Sequence, residues 1–199
     1  MIADEMVEGD TLALDQSILM LFRTPGAPAD PIGPPWVEEA VRDITSLGSF
    51  SILIIIVTLT VLYLWLSGKS RTAWFLTAAV ISGAIVSTLL KTVFNRTRPD
   101  IADVARVFTA SFPSGHATTS AVVYLTLGAL LASSTPYRRL KALYLGTAIF
   151  LTVLIGVTRL YLGVHYPTDV VAGWLVGAAW ALLCWAVYHL WLRPRSDAG

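Results

Sequence analysis

Apolar and polar positions in this chain alternate on a long scale. After a mixed, acidic N-terminal quarter come five apolar runs, at about 48–66, 73–94, 114–132, 142–162 and 168–192, divided by short polar connections. A helix of about 19 residues rises roughly 28 Å, close to the hydrocarbon thickness of a bilayer, so each run is long enough to cross one. The pattern predicts an all-α, polytopic transmembrane helix bundle of five spans. Upstream, residues 11–22 are too short and too interrupted for a span, and their apolar positions fit a helix lying in the membrane interface. Pro25, Pro28, Pro31, Pro34 and Pro35, with Gly26 and Gly33, then break regular structure. A second short helix is expected over 36–47, anchored at the interface by Trp36. A sixth, short or re-entrant span within 11–47 is the alternative. The expected organisation is an interfacial segment at 1–47, a membrane domain at 48–192 and a cytoplasmic tail at 193–199.

Composition sharpens this picture. Of the 199 residues 55% are apolar and only 14% charged, with a mean hydropathy of +0.68. Soluble domains carry about 25% charged residues, so this is a membrane protein. A net charge of +1 and the lack of a basic run argue against a nucleic-acid partner. Cys184 stands alone in an apolar stretch, which excludes an intramolecular disulfide framework and a thiolate metal cluster. The opening MIADEMVEGD lacks the positive region of a signal peptide, so insertion is expected to rely on the internal spans. Ser82, Gly83, Ala84 and Ser87, and Gly173 and Gly177 in a GxxxG spacing, are expected to pack helices closely. Lys69 and Arg71, then Arg138, Arg139 and Lys141, then Arg193 and Arg195, share one side of a five-span chain. The positive-inside rule makes that side cytoplasmic, with Trp65, Trp74, Tyr137, Tyr144 and Trp191 as its aromatic flanks. The 91–116 and 158–169 connections then face outward, and their arginines need another reason to be there.

Three polar segments supply one. In KTVFNRTRP, residues 91–99, Lys91 and Arg98 would lie two turns apart on one face of a continuous helix, and both side chains suit phosphate. Pro99 disfavours helix at Arg98, and a basic cap on a helix C-terminus is the alternative reading. Arg96 and Arg106 carry no assigned role. In FPSGHATT, residues 112–119, Pro113 and Ser114 start the third span, whose free N–H groups favour an anion. Ser114 adds a hydroxyl, Gly115 permits close backbone approach, and His116 is placed to give a proton to a leaving oxygen. An ordinary N-cap beside a surface histidine is the bland reading. In TRLYLGVHYPTD, residues 158–169, Arg159 can hold an anion and His165 can attack it. Asp169, in the first turn of the fifth span, can orient the imidazole, cap the helix, or do both. Snorkelling to the interface would also place Arg159 and His165 at a helix end.

Taken together, Lys–six residues–Arg–Pro, Pro–Ser–Gly–His and Arg–five residues–His–three residues–Asp resemble the motifs of the type 2 phosphatidic acid phosphatase family. The motifs cover 91–169, and the spans around them extend the likeness to about 48–192. Thr158 departs from the serine common before the arginine but keeps the hydroxyl. Many bacterial members have six spans, against the five found here. The resemblance implies a metal-independent lipid phosphatase of the bacterial inner membrane with no cofactor, acting through a phosphohistidine. By matched position His165 resembles the nucleophile, Asp169 its orienting residue and His116 the general acid. Lys91, Arg98, Ser114, Gly115 and Arg159 resemble the phosphate-binding shell. Asp100 and Asp103 are the only other carboxylates expected near Asp169, too few to hold magnesium. The expected partner is a membrane lipid phosphate within the bilayer. Undecaprenyl diphosphate is the first choice, with phosphatidylglycerol phosphate, phosphatidate and lipid A phosphates as rivals. A lipid phosphotransferase and a non-catalytic binder or transporter of anionic lipid are the alternatives. Oligomeric state is not readable from the chain.

Overall fold

The computed structural model describes residues 11–101 and 110–192. Seven α-helices dominate: α1 (Leu12–Met20), α2 (Pro35–Ser46), α3 (Phe50–Leu66), α4 (Ser70–Phe94), α5 (Gly115–Ser133), α6 (Arg138–Tyr161) and α7 (Pro167–Val187). A π-helical turn, Tyr188–Leu192, continues α7. Four helices, α4 to α7, are long and apolar enough to span a bilayer, and the bent pair α2–α3 makes a fifth at an angle of 43°. Among the described residues there are thus four to five apolar spans, five when α2 and the 17-residue α3 count together as one bent span. Within 11–47 no helix exceeds 12 residues, too short to cross a bilayer by itself.

The proline-rich stretch is more regular than its composition suggests. Arg23–Thr24 (β1) and Ala27–Pro31 (β2) pair as a small antiparallel hairpin, turned by Gly26 at φ +85°. The described part of the N-terminal segment packs against the helix bundle. Asp15, Leu19 and Arg23 are buried. Arg23 donates through Nη2 to the carbonyl of Tyr161 at 2.6 Å, closing the C-terminus of α6, and the Tyr161 hydroxyl donates to Ile32 O at 2.7 Å. Orphan carbonyls at a helix end are met here by a side chain from far away in sequence.

At the centre stands α5, packed against α6, α7, α4 and α3. Its buried face includes Ala117, Ala121 and Val122, together with Thr118, Ser120 and Thr126. Lipid tails are as apolar as leucine, so close packing rather than water exclusion holds such helices together. The GxxxG pair does what its spacing predicts. A side chain at Gly173 would meet Ala117 Cβ and Ser114 O at 2.9 Å, and one at Gly177 would meet Thr118 O at 2.6 Å. Gly83 likewise lies against Val122 and Trp180. The buried hydroxyl of Thr118 is satisfied within its own helix, donating to Ser114 O at 2.9 Å. Outward, Leu59, Leu89, Leu175 and Leu182 are exposed, as lipid-facing positions of spans should be.

This topology brings four helix ends together. The C-termini of α4 and α6 and the N-termini of α5 and α7 meet at one end of the bundle, so the three polar segments converge there. Lys69, Arg71, Arg138, Arg139 and Lys141 lie at the starts of α4 and α6, the other end, and all are exposed. Arg193, Arg195 and the proposed tail lie outside the described residues, as do Asp103 and Arg106.

Candidate active site

Pro167 occupies the first turn of α7, which its fixed φ suits, and Asp169 follows at the third position. One Asp169 oxygen, Oδ2, accepts the Tyr166 N–H at 2.9 Å, so the carboxylate caps the helix. The same Oδ2 faces His165 Nδ1 at 3.5 Å. The two roles left open by the sequence are thus compatible in one geometry. Ser111 bridges them: its hydroxyl donates to Asp169 Oδ2 and lies 3.3 Å from His165 Nδ1.

The other imidazole nitrogen settles the tautomer. Arg98 Nη1 lies 3.1 Å from His165 Nε2 and also donates to Val164 O at 2.8 Å. A guanidinium only donates, so Nε2 must accept and the ring proton must sit on Nδ1, toward Asp169 and Ser111. His165 is 2% exposed. Burial pushes its pKa down to about 4, against the upward pull of Asp169 and with the help of Arg98. The imidazole is therefore neutral at pH 7, with an unprotonated Nε2 set among cations.

Those cations come from two helices and the connection after α4. Lys91, in the last turn of α4, donates to Ala110 O at 2.7 Å, and its Cε would lie 3.5 Å from a side chain at Gly115. Lysine 91 and the Gly115 backbone are thus neighbours. Arg159, in the last turn of α6, donates to Thr45 Oγ1 at 3.1 Å. Buried Arg159 Nε and Ser114 Oγ have no hydrogen-bond partner among the described residues. His116, at the start of α5, is within electrostatic reach of Arg159, His165, Arg98 and Lys91. Its ring lies against the α2–α3 turn, where a side chain at Gly48 would sit 3.4 Å from its Cδ2. Ser114 N–H donates to Asp169 O at 2.9 Å, tying the start of α5 to that of α7. All eight residues singled out from the sequence therefore gather at this end of the bundle.

Two expectations need correcting. Helix α4 stops at Phe94, with Asn95 in the left-handed region at φ 39°, so Lys91 and Arg98 do not share a continuous helical face. Arg98 reaches the site from the connection after the helix instead. Second, Asp100 and Asp103 are not the only other carboxylates near Asp169, because Asp15 is joined to it through Arg96. Arg96, which carried no assigned role, binds Asp169 Oδ1 with Nη1 at 2.8 Å and Asp15 Oδ2 with Nη2 at 2.8 Å. These carboxylates hold Arg96 strongly protonated even though burial opposes its charge. Asp15, Arg96 and Ser111 are the site residues that sequence reasoning missed. A single acid within an apolar nine-residue helix was the only local signal for Asp15.

Comparison with known proteins agrees with this geometry. The PAP2 superfamily pattern matches residues 71–193. Phosphatidylglycerophosphatase B of Bacillus subtilis is 30% identical over 148 residues, which is 73% of this chain and 72% of that protein. Lipid A 1-phosphatase of Rhizobium etli is 33% identical over 126 residues, 58% of this chain and 50% of that protein. The crystal structure of a transmembrane PAP2-type phosphatidylglycerolphosphate phosphatase from Bacillus subtilis superposes with a TM-score of 0.83 at 27% identity, covering 94% of this chain and 90% of that one. The chain belongs to the PAP2 superfamily and is a multi-pass membrane phosphatase of that type.

Proposed function

For this member of the PAP2 superfamily we propose that the site hydrolyses the phosphate of a membrane lipid through a phosphohistidine on His165. The observation that carries the reading is the Arg98 contact with Nε2, which requires the proton on Nδ1 and makes Nε2 the basic nitrogen inside a cationic pocket. Nε2 forms a bond to phosphorus while the bond from phosphorus to the lipid oxygen breaks. His116 gives that oxygen a proton. It then takes one from water, whose oxygen displaces Nε2 and releases phosphate. Asp169 holds the imidazole and balances its gain of positive charge. Lys91, Arg98 and Arg159, with Ser114 and the N–H groups at Gly115, hold the phosphoryl oxygens as charge shifts in the transition state. Arg159 Nε and Ser114 Oγ, both buried without a partner among the described residues, are donors that phosphate oxygens would satisfy.

The exposed basic residues at the other end, through the positive-inside rule, support a site at the outer leaflet. The extent of the likeness to phosphatidylglycerophosphatase B supports phosphatidylglycerol phosphate as the first substrate to try, ahead of undecaprenyl diphosphate. Phosphate release by purified protein in detergent with EDTA, over a panel of both lipids, phosphatidate and lipid A, tests this. Release that survives EDTA and falls on the order of 10⁴-fold in His165→Ala is expected. Transfer to an added acceptor without free phosphate would establish a phosphotransferase. Binding of the lipids with no turnover would replace catalysis by lipid binding.

A further inference from the structure

Arg96 is shared between two carboxylates from opposite ends of the sequence. Besides its bonds to Asp169 and Asp15, its Nη1 donates to Thr168 Oγ1 at 2.7 Å. Asp15 accepts the Thr168 N–H on Oδ1 at 3.0 Å and the Thr168 hydroxyl on Oδ2 at 2.6 Å. The side chains of Asp15, Arg96 and Asp169 are 1%, 8% and 0% exposed. The Tyr166 ring covers the guanidinium, 4.4 Å from Arg96 Cζ. Burying three charges is costly, and apolar replacements of such a triad are often as stable or more so. Stability alone is therefore a weak reason for this triad. Asp15 also lies outside the stretch that the family pattern matches, 71–193.

We infer that Asp15 is a positioning residue for the reaction at His165, acting through Arg96 to hold the Asp169 carboxylate in place and to leave the triad with a net negative charge toward the imidazole. This rests on the phosphohistidine reading above. With Oδ1 of Asp169 anchored by Arg96, the carboxylate cannot rotate, and Oδ2 stays with Tyr166 N–H, Ser111 and His165 Nδ1. The charge count matters equally. Asp169 and Arg96 alone would form a neutral pair, whereas Asp15 brings the triad to a net charge of −1. That charge stabilises the imidazole as Nε2 takes up the phosphoryl group and the ring becomes positive. Other groups acting on Asp169, His165 and their contacts are Lys91 on α4, Arg98 and Asp100 in the connection after it, His116 on α5, Arg159 on α6 and the Tyr166 hydroxyl. All of these residues are kept in every variant, so differences between variants originate in the changes at Asp15 and Arg96.

The experiment compares full-length wild type, Asp15→Asn, Arg96→Gln and the double variant. Phosphate release from phosphatidylglycerol phosphate, undecaprenyl diphosphate and dioleoyl phosphatidate micelles is followed against pH, beside thermal unfolding of each protein. Asparagine can still accept the Thr168 N–H, so Asp15→Asn removes charge more than shape. Its kcat is expected to fall about tenfold to a hundredfold, with KM within about twofold. The acidic limb of kcat/KM should move down by about half a unit to one unit in Asp15→Asn and up by a similar amount in Arg96→Gln. The double variant, which removes a neutral pair, should return to within a few tenths of a unit of wild type. Shifts of opposite sign do not follow from a loosened fold. If Arg96→Gln does not fold, a limb lower in Asp15→Asn than in the double variant still supports the inference. A wild-type limb in Asp15→Asn, with any loss of activity matched by loss of thermal stability, would make Asp15 a helix tether and overturn it. Absence of phosphate release by wild type from every lipid would overturn the phosphatase reading and this inference with it.

Discussion

The two ends of the bundle use the same residue types in opposite ways. At one end Lys69, Arg71, Arg138, Arg139 and Lys141 are all exposed, where long side chains reach water and their charge serves topology. At the other, Lys91, Arg96, Arg98 and Arg159 are partly buried, each with a hydrogen-bond partner on another segment. Exposed cations are interchangeable because water solvates them wherever they point. Buried ones are held in single geometries by Ala110 O, Asp15, Asp169, Val164 O and Thr45 Oγ1, and that placement is what phosphate chemistry needs. The same contrast applies to histidine. His189, near the exposed cationic end, packs in a tilted contact on Trp185 with ring centroids 4.5 Å apart, whereas His165 is locked between Arg98 and Asp169.

Substitutions at each end test this contrast. Arg98→Lys should have the largest effect, lowering kcat/KM on the order of 10²-fold, because an ammonium cannot reproduce the planar fork that serves Val164 O and His165 Nε2 together. Steady-state kinetics on the accepted lipid measures it. The pH profile comes next. Protonation of Nε2 removes the attacking lone pair, so kcat/KM should persist through pH 6.5 and fall only as pH drops through about 4. Because the folded pKa lies below the unfolded 6.5, the stabilisation linked to neutral His165 is complete above 6.5 and is lost as pH falls from 6.5 toward 4. An acidic limb at 6.5 would show a solvated histidine and erase the difference between the two ends. In the packing between them, Gly177→Ala should destabilise by about 1–3 kcal/mol, since its Cβ would meet Ala121 Cβ at 2.5 Å. Unfolding in detergent reads this directly. Smallest of all, Lys141→Gln should leave kcat and KM within about twofold and stability within about 0.5 kcal/mol, as for an exposed surface position. A large kinetic effect there would break the comparison.

The local sequence determined much of this protein. Apolar run lengths specify the spans, because bilayer thickness sets the length that a helix must cover. Pro167 and Asp169 mark the start of α7 through the chemistry of a helix N-terminus, and Gly173 and Gly177 mark a packing face. His165 and Asp169, four residues apart, carry their own spacing signal. Tertiary structure alone decided the rest. Asp15 reads locally as one acid in a short apolar helix, and Arg96 as a surplus cation beside Arg98. Ser111 precedes its motif without belonging to it. Their partners lie 153 residues from Asp15 at Thr168, 73 from Arg96 at Asp169 and 54 from Ser111 at His165. Periodicity and capping act over a few residues and encode no such pairing. Only the docking of α1 against the start of α7 removes Asp15 and Arg96 from water, where a charge must find a partner.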